Sequence, residues 1–171
     1  MNLRLLKKRA EKELKIKNQN IVFGEGPSKA KIMFIGEAPG KQELKTGRPF
    51  VGRAGKFLDE LLKKNKINRK KIYITSVLKF LPKKITKDYV KKSKPYLLEQ
   101  IKIIKPKKIV LLGNLALKTL INEKLTISKV HGKKITKDKI TYLPMFHPAA
   151  GMRFPKIKKE MEKDFKLLKI I

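Results

Sequence analysis

The chain has 171 residues, and its 45 Lys and Arg against 14 Asp and Glu give a net charge of +31 at pH 7. A composition of 41% hydrophobic and 35% charged residues suits one buried core, and neither a disordered nor a membrane-embedded chain. There is no cysteine, which excludes disulfides, thiol catalysis, thiolate zinc sites and cysteine-ligated iron–sulfur clusters, and the 2 histidines, His131 and His147, are too few for a histidine-built metal centre.

In chain order, Leu3, Leu6, Ala10 and Leu14 recur at helical spacing among charges, which predicts an amphipathic helix from Leu3 to Ile16. Gly24, Gly26 and Pro27 then break the chain. Short apolar runs at Ile32–Ile35, Ile72–Val77 and Ile109–Leu112, with a weaker one at Ile140–Leu143, read as buried strands. Helical patterns fill the gaps: Phe57, Leu58, Leu61 and Leu62; then Leu97, Leu98, Ile101 and Ile104; then Leu117 and Leu120 behind a cap at Asn114; and last Pro155 through Met161, Phe165 and Leu168. Strands alternating with helices predict an α/β fold, a three-layer α/β/α sandwich around a mostly parallel four-stranded sheet, with residues 1–171 forming a single domain. No apolar run has the ~20 residues of a bilayer crossing, and the basic N-terminus, interrupted by Glu11 and Glu13, has no secretory hydrophobic region behind it. An intracellular location is expected. The abundance of Lys and Ile without Cys suits a thermophile or an AT-rich genome.

In an open α/β sheet, ligands bind beyond the carboxyl ends of the strands. There the sequence places Gly36-Glu37-Ala38-Pro39-Gly40, Thr75-Ser76, Gly113-Asn114 and Phe146-His147-Pro148. Read locally, Glu37 is either a solvated loop carboxylate or a rigidly held one that orients a water or stabilises a cation. His147 is either structural or a donor to an oxygen that gains charge during a reaction. Phe50, in a loop rather than on a periodic face, either plugs the core or stacks on a base. His131 lies in a basic turn and is read as a surface residue or a phosphate contact. The distributed lysines predict salt-dependent binding to nucleic acid, with no zinc-finger, RNA-recognition or KH signature.

Gly36-Glu37-Ala38-Pro39-Gly40, the block from Thr46 to Gly55, Tyr73-Ile74-Thr75 and Pro144-Met145-Phe146-His147-Pro148-Ala149 together resemble the family 4 uracil-DNA glycosylases, in order from about residue 9 to the C-terminal helix. The resemblance implies a DNA repair enzyme that flips uracil out of DNA and hydrolyses its N-glycosidic bond, leaving an abasic site with monofunctional chemistry. It implies Glu37 and His147 as catalytic residues, and Gly36, Ala38, Phe50 and Ser76 around the base. Met152 becomes the wedge in the duplex, with Arg153, His131 and Arg48 as DNA contacts. The expected partner is uracil-containing DNA; self-repulsion at this charge favours a monomer, and no sliding-clamp motif is read.

Two departures stand out. The family's iron–sulfur cysteines align with about Arg9, Lys12, Phe80 and Lys92, so no cofactor is expected and Phe80 would fill part of the vacated space. The family's asparagine after the second strand is Ser76 here, and a rotating hydroxyl cannot make an amide's bidentate match to the uracil edge. Two alternatives follow: broadened specificity toward hypoxanthine or xanthine, and a non-catalytic nucleic-acid-binding member of the fold.

Overall fold

A computed structural model describes residues 1–14 and 19–169 of the chain. The first helix, α1 (Leu3–Glu13), is capped by Asn2, whose side chain accepts the Leu5 N–H, and the expected extension to Ile16 lies outside the described residues. The apolar run Ile32–Gly36 forms β1 and is buried along its whole length, as a parallel strand covered on both faces requires. Two helices follow, α2 (Lys41–Thr46) and α3 (Arg53–Lys64), and then a 3-10 turn at Arg69–Lys71 leads into β2 (Tyr73–Ser76). The long α4 (Lys87–Ile104) precedes β3 (Lys108–Leu112), α5 (Asn114–Leu120) and α6 (Ile127–Val130). The hairpin β4 (Ile135–Lys137) and β5 (Ile140–Met145), then α7 (Pro148–Arg153) and α8 (Pro155–Phe165), complete the order.

The sheet runs β2-β1-β3-β5-β4, parallel except for β4, so it has one more strand than the sequence predicts. The β4 signal is weak in sequence because its residues are mostly exposed and its turn is Asp138-Lys139, both in left-handed conformation without the glycine that usually announces such a hairpin. Strand alternation divides the core. Met33, Ile35, Ile109 and Leu111 face the layer of α1, α4 and α5, whereas Phe34, Val110 and Leu112 face Leu58, Leu61 and Phe165 of α3 and α8. These are the layers of an α/β/α sandwich.

One cap differs from expectation. The N-cap of α5 is Gly113, and Asn114 is the first helical residue; its Oδ1 accepts the Ile127 N–H at 2.8 Å and so ties α5 to α6. The register brings Gly36 beside Ser76, and Leu112 beside Met145, so the ends of β1, β2, β3 and β5 share one rim. The chain leaves β1 for β2 on one side and then crosses to β3 on the other, which puts the topological switch point on this rim.

Candidate active site

Four crossings meet at that rim. Glu37 and Ala38 follow β1, Phe50 comes from the α2–α3 loop, Ser76 ends β2, and His147 follows β5 as the N-cap of α7. With Pro49 and Leu81 they line a hollow of about 410 Å³. The rings of Phe50 and His147 stand 5.9 Å apart, centroid to centroid. A Cβ at Gly36 would come within 2.5 Å of Phe50 Cζ, so only glycine lets the ring approach the strand this closely.

The hollow tunes its two ionisable groups by burial. His147 Nδ1 accepts the Ala149 N–H at 3.2 Å, so the neutral imidazole carries its proton on Nε2. Burial pushes its pKa down to about 4, and near pH 7 the ring is therefore a neutral donor. Burial also pushes the Glu37 carboxyl above its ordinary value. No side chain among the described residues hydrogen-bonds that carboxylate, while the carbonyls of Gly36 and Glu37 accept the Val77 and Leu78 N–H groups at 3.0 Å each and fix the loop to the end of β2. A half-buried carboxylate with free lone pairs can hold a water or face a developing cation.

Three residues that support the site were not singled out from sequence. Glu43 is buried, and its carboxylate accepts from Gly40 N at 3.1 Å, Val51 N at 2.8 Å and Gly52 N at 2.7 Å, tying the Glu37 loop to the Phe50 loop. The Gly40-x-x-Glu43 spacing of a helix start was its one available signal. Arg69 donates to the carbonyls of Pro49 at 2.7 Å and Phe50 at 3.1 Å. Lys79 is fully buried, with Nζ within 2.7 Å of Thr75 Oγ1, the Ser76 carbonyl and Gln100 Oε1. Burial drives the Lys79 pKa well down, while three surrounding oxygens match the three donors of an ammonium. Either form anchors the backbone of Ser76.

The predicted DNA contacts lie apart from the hollow. Met152 and Arg153 stand exposed on α7, with the Arg153 guanidinium 5.4 Å above the ring of Phe154, an exposed aromatic that sequence patterning did not single out. Arg48 is exposed but pairs with Glu25 at 2.8 Å. Burial raises the Glu25 carboxyl, yet Arg48 and Arg69 outweigh it and hold the group below the usual carboxylate range. His131 does not face the hollow; its Nδ1 pairs with Asp164 at 2.8 Å and its ring packs on Phe146. A larger hollow of about 700 Å³ opens at the opposite rim, and no predicted site residue lines it.

The positions aligned with cluster cysteines do not fit an iron–sulfur group. Arg9 donates to Glu13, Phe80 is buried edge-on against Tyr89, and Lys12 and Lys92 are exposed. No thiolate exists in the chain, and no group of three or more potential metal-ligating His, Asp or Glu occurs among the described residues.

Comparison with known proteins agrees with the fold. The family model described as the uracil DNA glycosylase superfamily matches residues 23–169. A type-4 uracil-DNA glycosylase of Sulfurisphaera tokodaii is 41% identical over 88% of this chain and 74% of its own length. Type-4 uracil-DNA glycosylases of Archaeoglobus fulgidus and Thermotoga maritima are each 41% identical, over 86% and 82% of this chain and 79% and 76% of their own lengths.

Proposed function

From the premise that the chain belongs to the uracil DNA glycosylase superfamily, we propose that it is a DNA repair enzyme that hydrolyses the N-glycosidic bond of deoxyuridine. One observation carries the reading beyond family membership: a carboxylate, an aromatic ring, a hydroxyl and a neutral imidazole line one hollow at the sheet's carboxyl rim.

The target nucleotide leaves the stack at a cost of a few kcal/mol, less from a U·G mismatch than from U·A. Phe50 stacks on the extruded base, the Gly36-Glu37-Ala38 segment and Ser76 meet its edge, and His147 Nε2–H donates to uracil O2 as negative charge develops there. One such preorganised donor is worth ~10²–10³ in rate. Glu37 orients the attacking water and favours the positive charge building on the sugar. Water is the nucleophile, so the product is an abasic site; Lys41, exposed at the mouth of the hollow, is read as a phosphate contact. Met152 wedges into the duplex and Arg153 takes a phosphate. Arg48 exchanges Glu25 for phosphate, and His131 offers Nε2 while Asp164 holds Nδ1. Residues 1–171 are read as one domain, acting as a monomer without a bound cofactor.

A second reading rests on Ser76. Without a fixed amide at the base edge, selection against other deaminated bases weakens. Labelled duplexes carrying uracil, hypoxanthine or xanthine, incubated and then cleaved with alkali, decide the matter. Breaks dependent on uracil are expected, without borohydride trapping of a covalent enzyme–DNA adduct. Breaks at hypoxanthine or xanthine instead favour broadened specificity, which Ser76→Asn should then narrow toward uracil. No breaks at all would leave a binding protein.

A further inference from the structure

We propose that Arg69 and Glu43 are positioning residues that set the Phe50 ring at the base site by clamping its backbone from both sides. The proposal rests on the glycosylase reading above.

Phe50 has φ of 50°, a left-handed conformation that a bulky aromatic adopts only when its surroundings enforce it. The enforcing contacts bracket the residue. The Arg69 fork spans both flanking peptide units, taking the Pro49 carbonyl before Phe50 at 2.7 Å through Nη2 and the Phe50 carbonyl after it at 3.1 Å through Nη1. On the C-terminal side one oxygen of Glu43 takes two consecutive N–H groups, Val51 at 2.8 Å and Gly52 at 2.7 Å. The peptide units on both sides of Phe50 are thereby held, and the direction of its Cα–Cβ bond with them. The clamp is itself braced: Arg69 also reaches Asp59 at 2.6 Å and Glu25 at 3.3 Å, and the other oxygen of Glu43 takes Gly40 N at 3.1 Å. Gly55 allows α3 to press on the Phe50 carbonyl, where any Cβ would collide.

Neither side chain has a free group for the base. Arg69 lies outside the hollow, and Glu43, in its wall, has both oxygens committed to backbone N–H groups. Their effect therefore passes through the ring. Lysine cannot replace Arg69, because a single ammonium does not span two carbonyls as a planar fork does.

The test is a double-mutant cycle between Arg69→Met and Phe50→Leu, read by single-turnover excision from a uracil duplex over a range of enzyme concentrations. Arg69→Met is expected to raise the half-saturating concentration about tenfold, as loss of a base-stacking contact does. The saturating rate should stay within about threefold and affinity for undamaged duplex should hold. In the Phe50→Leu background the same change should cost less than about twofold, a coupling that a merely structural role would not produce. If Arg69→Met melts at the assay temperature, Glu43→Gln carries the same cycle: it keeps one acceptor for Val51 and Gly52 and sets a donor against Gly40 N–H, with about a threefold effect expected. Equal losses in both backgrounds, or none in either, overturn the clamp alone. A wild-type protein that excises no uracil overturns the reading beneath it, and the clamp with it.

Discussion

His147 and Glu37 are driven toward neutrality by the same cause, desolvation, but the roles proposed for them make opposite use of it. For His147 the pKa near 4 is an asset, since a neutral ring with its proton on Nε2 can donate throughout the physiological range. His147→Ala should slow single-turnover excision ~10²-fold or more while duplex affinity stays within about twofold. For Glu37 the raised pKa is a cost, because the proposed role uses the carboxylate. The rate should fall as pH drops through a value above the ordinary carboxylate range, and Glu37→Gln should be slower and lack that acid limb. The stability sign is also fixed. A group with a folded pKa above its unfolded one destabilises where it is ionised, so Glu37→Gln should melt higher than wild type near pH 7 and match it once Glu37 is protonated. Denaturant midpoints at two pH values check this. Both candidates were legible in sequence because a polar residue directly after a buried strand stands out. Glu43, Arg69 and Lys79 were not, since their partners are backbone groups up to 20 residues distant or side chains from other elements.

At the level of elements, the positions that the resemblance aligns with the family's cluster cysteines lie on α1, shortly after β2 and on α4, and side-chain contacts join these elements. The Tyr96 hydroxyl of α4 donates to the Glu13 carboxylate of α1, which also receives Arg9, while the Arg9 guanidinium lies 5.4 Å from the Tyr96 ring. Phe80, 2% exposed, packs edge-on against Tyr89 of α4 with centroids 5.2 Å apart. Of these contacts the buried ring outweighs the exposed ion pair, because solvent screens the latter. Phe80→Ala should therefore destabilise by about 3 kcal/mol, read as a lower denaturant midpoint at unchanged slope. Expectation and structure parted at α5 for a related reason. Asn114 is a good cap by local chemistry, but Ile127 N–H, 13 residues on, claims its side chain, and Gly113 takes the cap position.

For the whole molecule the dominant quantity is a charge of +31, spread over most exposed helix faces. The 14 acidic residues are already subtracted in that figure, so ion pairing leaves it unchanged. Duplex affinity should fall steeply with salt, log K against log[salt] having a slope near −0.9 for each phosphate neutralised. Affinities of undamaged duplex at several salt concentrations measure that slope. Exposed Met152 and Phe154, beside Arg153, lie on the segment that follows His147, where the proposed duplex contact falls.

The sequence alone determined the layered α/β architecture, the shared rim and the presence there of Glu37, Ser76 and His147, while only the family resemblance put Phe50 beside them. Periodicity and strand-end position are local properties, and Glu37, Ser76 and His147 each lie in a segment whose pattern can be read without its neighbours. Tertiary structure alone decided the edge strand β4, the left-handed Phe50 with its clamp, the buried Lys79 and the pairing of His131 with Asp164. Those features arise from burial and from partners far along the chain, and no local pattern encodes which distant group will satisfy a given carbonyl, amide or charge.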